Sequence, residues 1–241
     1  MSVASYIALS GQMALERRMV TIANNMANIN TVGFKSDAVR FEAVLKGQGD
    51  NQVDYVSEGD IFIDRAEGGL NPTGNELDVA ITGNAWLGVQ TPNGLVYTRD
   101  GRFKLDAAGG LVTLLGHPVV DAGGQRIEID PAGGPPTIGS QGQILQAGQR
   151  TGSIGLFQLP ADAVLTRSEN SAVVSDQPGQ PVTDFAGISV HQGFVETSNV
   201  SPVLEMTRLI MVQRAFEAAA SALETAESTQ GRVVRELGAA S

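Results

Sequence analysis

The chain has 241 residues, of which 16 are Lys or Arg and 26 are Asp or Glu, so its formal net charge at neutral pH is −10. This acidic balance argues against a nucleic-acid partner, since phosphate binding needs a basic surface, and the absence of cysteine excludes disulfides and thiolate zinc sites. With 42% hydrophobic and 17% charged residues, the composition predicts a folded chain with one sizeable core, with or without helical extensions.

The amino-terminal segment has the hydrophobic period of a helix. The next stretch, residues 28–33, is rich in Asn and ends in Gly, which are residues that tolerate the left-handed conformation found at helix ends. We therefore predict an amphipathic helix over residues 6–27. We expect residues 28–33 to form its carboxy-terminal end, with Gly33 in the left-handed conformation. The apolar positions recur at steps of three and four, or multiples of them: Tyr6, Leu9, Met13, Val20, Ala23 and Ala27.

The same segment does not resemble a cleaved signal peptide, because Glu16, Arg17 and Arg18 follow a mixed stretch and not a basic-then-apolar one. No uninterrupted apolar run approaches the roughly 20 residues that a membrane-spanning helix needs. We expect no membrane-spanning segment. By the general secretory route the protein would stay in the cytoplasm, unless another export system reads the chain.

The middle of the chain, residues 76–191, has the pattern of short strands separated by turns. The turn signal Pro92-Asn93-Gly94 joins two apolar runs and predicts a β-hairpin. Strands at this spacing predict an antiparallel sandwich or open barrel. The predicted strands are Glu76–Ile81, Trp86–Gln90, Leu95–Thr98, Leu111–Leu115 and Arg126–Asp130.

From Ser201 onward the period is helical again. Ser201 is a suitable N-cap, Pro202 suits the first helical position, and Gly238 is a natural stop. Between them lies an a/d seam of four heptads, interrupted only by Gln230. The seam consists of Leu209, Val212, Phe216, Ala219, Leu223, Ala226, Gln230, Val233 and Leu237.

These patterns predict an α+β fold, in which a discontinuous bundle of N- and C-terminal amphipathic helices carries an inserted, mainly antiparallel β domain. The expected domains are residues 1–35 with 198–241 for the helices, 36–75 as an extended connecting segment, and 76–197 for the β domain. The two helices could form a hairpin that caps the β domain, or they could pack against other molecules. The pattern favours neither, although a pair of about 30 residues each buries little apolar surface on its own.

The sequence predicts no catalytic, cofactor-binding or metal-binding site. His117 and His191 have no carboxylate cluster nearby in sequence, which favours structural roles. Asp78 lies within an apolar strand and is expected to be a buried, hydrogen-bonded carboxylate rather than a general acid or base. Trp86 could stack on a sugar, but a lone Trp in a strand is more often part of the core.

Three blocks of the sequence resemble one protein family. The first runs over residues 23–36, the second covers 69–83 and 97–103, and the third covers 192–200 and leads into the predicted carboxy-terminal helix. In this order they resemble the flagellar axial proteins, which form the rod and hook family. The positions that carry the resemblance include Asn24, Asn25, Asn28, Asn30, Thr31, Gly33 and Phe34, then Leu77 and Asp78, and finally Ser198, Asn199 and Val200.

Two short segments indicate the type of axial protein. Ala85-Trp86-Leu87 stands where many relatives have Gly-Phe-Phe, and it is similar to the proximal rod type. The segment Gly116–Val120 is similar to the same type. The length suits a rod protein without the large extra domain of a hook subunit, and the distal rod type is the alternative within the family.

The resemblance implies a structural subunit without enzymatic activity or cofactor. Its terminal helices would pack as an inner tube with those of other axial subunits, as part of the drive shaft and export channel, with the β domain outside. The chain would pass through the flagellar type III export apparatus without a cleaved signal peptide and assemble in the periplasm. Residues 24–34 would form the joint, so we expect Gly33→Val to leave the melting temperature nearly unchanged and to block incorporation.

The alternative from another class is a periplasmic carbohydrate-binding or hydrolytic β domain with helical adaptors. Such a domain would need clustered aromatic residues on one sheet face and paired carboxylates. The sequence has one Trp and dispersed acidic residues, which disfavours this alternative.

Overall fold

The computed structural model describes residues 3–40, 43–46, 53–56 and 60–239. Two helices, α1 (Val3–Ala27) and α2 (Pro202–Ala239), lie at the ends of this part of the chain, and short antiparallel strands lie between them. The predicted α+β fold with an inserted β domain is therefore confirmed. The helix that was predicted over residues 6–27 begins three residues earlier and ends at Ala27 as expected.

The strands are short, as the close spacing of turn residues predicts. They are β1 (Asp37–Arg40), β2 (Ala43–Lys46), β3 (Val53–Val56), β4 (Asp60–Ile63), β5 (Leu70–Pro72), β6 (Val79–Thr82), β7 (Trp86–Thr91), β8 (Gly94–Thr98), β9 (Phe103–Leu105), β10 (Leu111–Thr113), β11 (Thr137–Ile138), β12 (Gln143–Gln146), β13 (Gln149–Ser153), β14 (Leu156–Gln158), β15 (Leu165–Arg167), β16 (Val173–Ser175), β17 (Gln180–Pro181), β18 (Ser189–Gln192) and β19 (Phe194–Glu196).

The chain divides into two compact units. The helical unit comprises Met1–Ala27, Asp37–Phe62 and Ser201–Ser241, and the β unit comprises Asn28–Ser36 and Ile63–Val200. Residues 36–75, expected as an extended connecting segment, contain β1 to β5. Residues 28–35 and 198–200, which the sequence analysis grouped with the helices, belong to the β unit.

In the helical unit, α1 packs against α2 and also contacts β1 and β3. The buried positions Ala14, Thr21 and Ile22 recur on one face of α1, and Glu205 and Val212 lie on one face of α2. The strands β1 and β4 form one two-stranded sheet, and β2 pairs with β3 in another. The helices therefore use one face each for packing within the chain.

The β unit is built on a six-stranded sheet in the order β15-β16-β8-β7-β14-β17. Its central pair β7–β8 is the hairpin predicted from Pro92-Asn93-Gly94, with Thr91 opposite Gly94. The core has one hydrophobic cluster on each face of this sheet, with Leu87 in the larger cluster and Trp86, Tyr97 and Phe157 in the other. Outside the main sheet, β11-β12-β13 form a three-stranded sheet, and β9–β10, β6–β18 and β5–β19 form pairs.

Three predicted strands differ from the structure by more than one residue at an end or do not form a strand. The run Arg126–Asp130 makes only isolated bridges, because Ile127 bonds to Leu111 and Val119 whereas Ile129 bonds to Gly109, so no continuous ladder forms. The run predicted from residue 76 begins at Val79, after a turn. The run predicted to residue 115 ends at Thr113, where a hydrogen bond from Gly116 N to the Thr113 carbonyl closes a turn.

Candidate functional site

The residues considered for catalysis or binding do not come together in the β unit. Trp86 is fully buried in the core, so its ring cannot stack on a sugar. His117 pairs with the exposed Glu169, whereas His191 lies 3.3 Å from the Thr82 hydroxyl. Within residues 3–40, 43–46, 53–56 and 60–239, no group of three or more His, Asp or Glu side chains could hold a metal ion.

Asp78 braces the turn that leads into β6. Its Oδ1 accepts a hydrogen bond from Asn75 Nδ2 at 3.0 Å, and its carbonyl accepts one from Gly193 N at 2.8 Å. The side chain is buried, as predicted from its position between apolar neighbours, and Leu77 packs against the hydrophobic core. These contacts give the Leu77-Asp78 block a structural role.

The three sequence blocks that resemble one family meet at a buried ion cluster in the β unit. Lys35 from the first block donates from Nζ to Glu196 Oε1 of the third block at 2.6 Å and to the Ala66 carbonyl at 2.7 Å. Arg99 from the second block donates from Nη1 to Glu196 Oε2 at 3.0 Å. Gly68 N donates to Oε1 of the same carboxylate at 2.9 Å. We call Lys35, Arg99 and Glu196 the buried triad.

Burial dominates the electrostatics of this triad. All three side chains are at most 2% exposed, so two cations share one carboxylate away from water. Arg99 gives its other hydrogen bonds to the carbonyls of Ile81 and Gly83, at 3.1 and 2.6 Å. Burial lowers the pKa of Lys35 below its ordinary value of 10.5, and the nearby Glu196 opposes that shift.

Gly33 lies where the first block passes against the second. Its φ is +67°, and its amide donates to the Glu196 carbonyl at 2.8 Å. A Cβ at this position would lie 2.3 Å from the carbonyl carbon of Arg99 and from the amide nitrogen of Asp100. The left-handed conformation predicted for Gly33 is thus present, but its role is different. The helix α1 ends six residues earlier, at Ala27, so Gly33 permits a close backbone approach and is not the helix cap.

Phe34 and Lys35 are covered by an arginine from the β15–β16 hairpin. The Arg167 guanidinium lies 4.0 Å from the centre of the buried Phe34 ring, which is the geometry of a cation–π contact. The same guanidinium donates a hydrogen bond to the Lys35 carbonyl. The first block is therefore held by contacts to both its side chains and its backbone.

Asn199 joins the third block to the first. Its Oδ1 accepts a hydrogen bond from Ser36 N at 2.7 Å, and its Nδ2 donates to the carbonyls of Asp64 and Ala66 at 3.2 and 3.0 Å. Its own amide donates to the Phe34 carbonyl at 3.3 Å. One amide side chain thus fastens three segments of the β unit.

Five further positions of the blocks have local roles or lie at the surface. Thr31 donates from its amide and its hydroxyl to Asn28, which closes the turn after α1. Val200 is buried, and its amide donates to the Ser198 hydroxyl at 3.3 Å. Asn30 is exposed.

Asn24 and Asn25 belong to the helical unit, at the end of α1. The buried Asn25 accepts from Asp37 N at 2.8 Å and donates to the Asp37 carbonyl at 2.9 Å. Asn24 donates to the Asp37 carboxylate at 3.0 Å. These two amides connect the last turn of α1 to the first residue of β1.

Lys35, Arg99 and Glu196 lie within the three blocks, but their clustering was not predicted from the sequence. The available signal was a single charged residue in each of two otherwise uncharged strings, Lys35 in residues 23–36 and Glu196 in residues 192–200, whereas Arg99 stands beside further charged residues. Charged residues in such strings are rarely buried unless they are paired. Their pairing across 161 positions of sequence separation could not be read from spacing.

The described side chains of the predicted α2 seam lie on the face of α2 that is buried within the chain, which we call the inward face. Val212 is buried, and Leu209 and Phe216 are half-buried, with the buried Glu205 one turn before Leu209. The same face packs toward α1 in the chain itself. The side chains of four other predicted assembly positions lie outside the described residues: Tyr6, Leu9, Leu223 and Val233.

Other large apolar residues of the helices are exposed. On α1, the predicted positions Met13 and Val20 are 43% and 65% exposed, and they lie about 100–120° around the helix from the buried Ala14. On α2, several apolar side chains outside the inward face are between 47% and 75% exposed: Val203, Leu204, Met206, Ile210 and Met211. The two helices therefore carry apolar surface that this chain alone does not cover.

Three protein-family models match the two ends and the middle of the chain. The model described as flagella basal body rod protein matches residues 6–35, the flagellar hook protein FlgE/F/G D1 domain matches 80–146, and the flagellar basal body rod FlgEFG protein C-terminal matches 191–236. The chain is also 48% identical over 236 residues to the flagellar basal-body rod protein FlgF of Mesorhizobium japonicum, with 98% of each chain covered. The chain belongs to the FlgF family of flagellar basal-body rod proteins.

Two further FlgF proteins agree with this assignment. The FlgF of Rhizobium meliloti is 42% identical over 233 residues, which is 97% of each chain, and that of Caulobacter vibrioides is 39% identical over 248 residues, 98% of each. The resemblance to the rod and hook family, and within it to the proximal rod type, is confirmed. The three blocks that carried it supply the members of the buried triad.

An apolar pocket of this FlgF relative lies in the β unit. It is formed over the hairpin β7–β8, where Val89 and Val96 are opposite each other, and the exposed Leu114 and Leu115 are at its side. None of the described residues that line it is Trp, Tyr or Phe. A sugar-binding platform would need such aromatic faces, so the pocket gives no support to the carbohydrate-binding alternative.

Neither described helix is long and apolar enough to cross a membrane.

Proposed function

We propose that this FlgF-family chain is a structural subunit of the proximal rod of the flagellar basal body, and that it joins its neighbours by packing its terminal helices against theirs. Membership of the family supports the rod assignment. The observation that carries the mode of assembly is the exposed apolar surface on α1 and α2.

The distribution of apolar residues on α2 supports this proposal. The inward face uses Leu209, Val212 and Phe216 within the chain, yet Val203 and Ile210 are exposed on other faces. A helix that is apolar on several faces is stable only when it is surrounded. Burial of these side chains between subunits would contribute roughly 25 cal/mol per Å² of apolar area and would drive assembly.

The buried hydrogen-bond network of the β unit is consistent with a subunit of a shaft that transmits torque. Residues 28–36 precede the segment that returns to the helical unit, and residues 196–200 lead into α2. The buried triad and Asn199 fasten these two stretches to each other within the β unit. A shaft that transmits torque needs such fixed attachments, because a hydrogen-bonded buried network has one defined geometry.

The partners in this proposal are further copies and other axial proteins of the rod and hook family. The protein acts without catalysis or cofactor, as part of the drive shaft and export channel. It reaches the periplasmic part of the basal body through the flagellar type III export apparatus. The matched family descriptions, which group FlgE, FlgF and FlgG, support related axial partners.

The test compares two matched substitutions in a flagellated strain that lacks the wild-type copy. Val20→Asp on α1 and Val164→Asp in the β unit each place a carboxylate on a Val that is exposed, by 65% and 62%. Since neither Val is buried in the single chain, each variant should fold, with wild-type helicity by circular dichroism. We expect Val164→Asp to enter purified basal bodies at normal amounts and Val20→Asp to be absent. Normal incorporation of Val20→Asp would remove this face of α1 from the assembly contacts.

A further inference from the structure

All the sulfur of this chain lies in its two terminal segments. The sequence has six methionines and no cysteine, and every methionine falls within residues 1–27 or 202–239, so the β unit contains none. Among the described side chains, Met13 on α1 is 43% exposed, and Met206 and Met211 on α2 are 54% and 64% exposed. The thioether of an exposed methionine is accessible to oxidants in the solvent.

Each exposed methionine shares a helix face with another exposed apolar residue. The members of each pair are four or seven positions apart, which places them on the same side of a helix. The pairs are Met13 with Val20, Met206 with Ile210, and Leu204 with Met211. The three methionines therefore belong to the apolar surface of the helices that the chain itself does not cover.

We infer that Met13, Met206 and Met211 are sites of reversible oxidation by hydrogen peroxide, and that their conversion to methionine sulfoxide blocks entry of the chain into the rod. The inference rests on the proposed function, since it concerns the surface through which the chain would join its neighbours. It adds a chemical condition to that function. The three thioethers must be in the reduced form when the chain assembles.

The oxidation is a two-electron transfer of one oxygen atom. A lone pair of the methionine sulfur attacks one oxygen of hydrogen peroxide, so that the S–O bond forms and the O–O bond breaks. The departing hydroxide takes the proton from the transferred oxygen and leaves as water. Sulfur is oxidised, and the peroxide is reduced. A methionine sulfoxide reductase reverses the change, because thiols supply two electrons and the sulfoxide oxygen leaves as water.

The position of these methionines separates an effect on assembly from an effect on the fold. At an exposed position the added sulfoxide oxygen accepts hydrogen bonds from water, so the single chain stays folded. In a contact that excludes water, the same oxygen loses its hydration beside Val, Ile and Leu side chains that have no donor, and this burial is unfavourable. The half-buried Met19 and Met26 of α1 should react more slowly, since they are less accessible to peroxide.

The first experiment treats the purified full-length protein with hydrogen peroxide and follows each methionine by peptide mass spectrometry. We expect Met13, Met206 and Met211 to gain an oxygen roughly threefold faster than Met19 and Met26. The circular dichroism of the helices should stay unchanged while the three exposed sites react. Equal rates at the exposed and the half-buried positions, or a loss of helicity during the reaction of the exposed ones, would overturn the inference.

The second experiment compares two full-length forms with tags of different mass in one flagellated strain that is exposed to peroxide. The forms are the wild type and the triple variant Met13→Leu, Met206→Leu and Met211→Leu, since leucine keeps the size and apolar character of methionine without its sulfur. We expect the fraction of wild-type chains with sulfoxide to be about tenfold lower in purified basal bodies than in the whole cell. Peroxide should also raise the ratio of the triple variant to the wild type in basal bodies, relative to untreated cells.

Equal sulfoxide fractions in basal bodies and in the whole cell would overturn the inference, and this comparison does not depend on whether the triple variant assembles. A ratio of the two forms that peroxide leaves unchanged would also overturn it. So would the absence of sulfoxide from the wild-type chain at every peroxide dose that the cells survive. If the wild-type chain were absent from the basal bodies of untreated cells, the proposed function would fail, which is a separate result.

Discussion

Replacing Gly33 by Ala tests the central packing feature of the β unit. The added Cβ would lie 2.3 Å from backbone atoms of Arg99 and Asp100, well inside van der Waals contact. Neither neighbour can rotate away, since the atoms belong to the main chain and Arg99 is held by the buried triad. The φ of +67° adds strain of its own, because an L-residue with a side chain rarely adopts it.

The expected loss is the sum of two terms. The left-handed conformation costs about 1–2 kcal/mol for a non-glycine residue, and forcing extra volume into a packed site costs about 1–3 kcal/mol. Gly74→Ala is the matched control, because Gly74 has a φ of +73° but nothing within 4 Å of its Cβ position. The control should therefore show only the first term.

The assay is urea unfolding of the purified full-length protein followed by tryptophan fluorescence. Trp86 is the single Trp of the chain and is buried in the β unit, so its signal reports on that unit. With a slope of about 2 kcal/mol per M urea, Gly33→Ala should lower the midpoint by roughly 1–2.5 M, and Gly74→Ala by about half of that or less. Equal midpoints for the two variants would refute the reasoning. The geometry also revises the expectation that Gly33→Val would melt almost like the wild type.

Further predictions concern the buried triad and the helices. Glu196→Gln should destabilise the β unit by about 3–5 kcal/mol in the same assay, because two buried cations lose their carboxylate. Lys35→Met leaves the Arg99–Glu196 pair intact and should destabilise the β unit clearly less. Equal losses of unfolding free energy in the two variants would contradict this. Burial lowers the pKa of Lys35, so the Lys35 ammonium holds its proton more tightly in the unfolded chain than in the folded one. The free energy of unfolding of the wild type should therefore rise relative to that of Lys35→Met as pH is raised toward 10.5. A difference in unfolding free energy that stays flat or falls with pH would contradict this. In dilute monomer, the backbone amides of Val20–Ala27 should exchange with solvent faster than those of Val79–Thr82 in β6, because exposed apolar residues of α1 are not covered within the chain. Hydrogen-exchange mass spectrometry measures this difference. Equal protection of the two segments would contradict an unpartnered helix.

Local pattern was enough to predict the helices and the central hairpin. The a/d seam near Leu209 and Val212 does lie on the inward face of α2, because helical period reports directly which side chains share a face. The turn Pro92-Asn93 was equally local, since two residues between apolar runs determine the hairpin.

Which partner each helix face meets could not be read from the pattern. Period alone selected Met13 and Val20 as the apolar stripe of α1, yet the face that packs within the chain is the one with Ala14 and Ile22. Small residues allow close helix packing but carry little hydrophobic signal. The exposed and buried apolar faces can therefore be told apart only when the packing is known.

The buried triad shows the same limit for polar residues. Lys35 and Glu196 are charged, and a charged residue in a single sequence is expected to be solvated. Their burial follows from tertiary pairing between distant segments, which no local propensity encodes. The family resemblance marked the right segments without explaining their physical purpose.

The most direct test of the account is an image of the isolated basal body at a resolution that allows this chain to be traced. We predict that the chain lies in the rod, with exposed apolar residues such as Val20 on α1 and Ile210 on α2 buried against helices of neighbouring subunits. A rod from which the chain is absent, or a traced chain whose Val20 and Ile210 face solvent, would contradict assembly through the terminal helices.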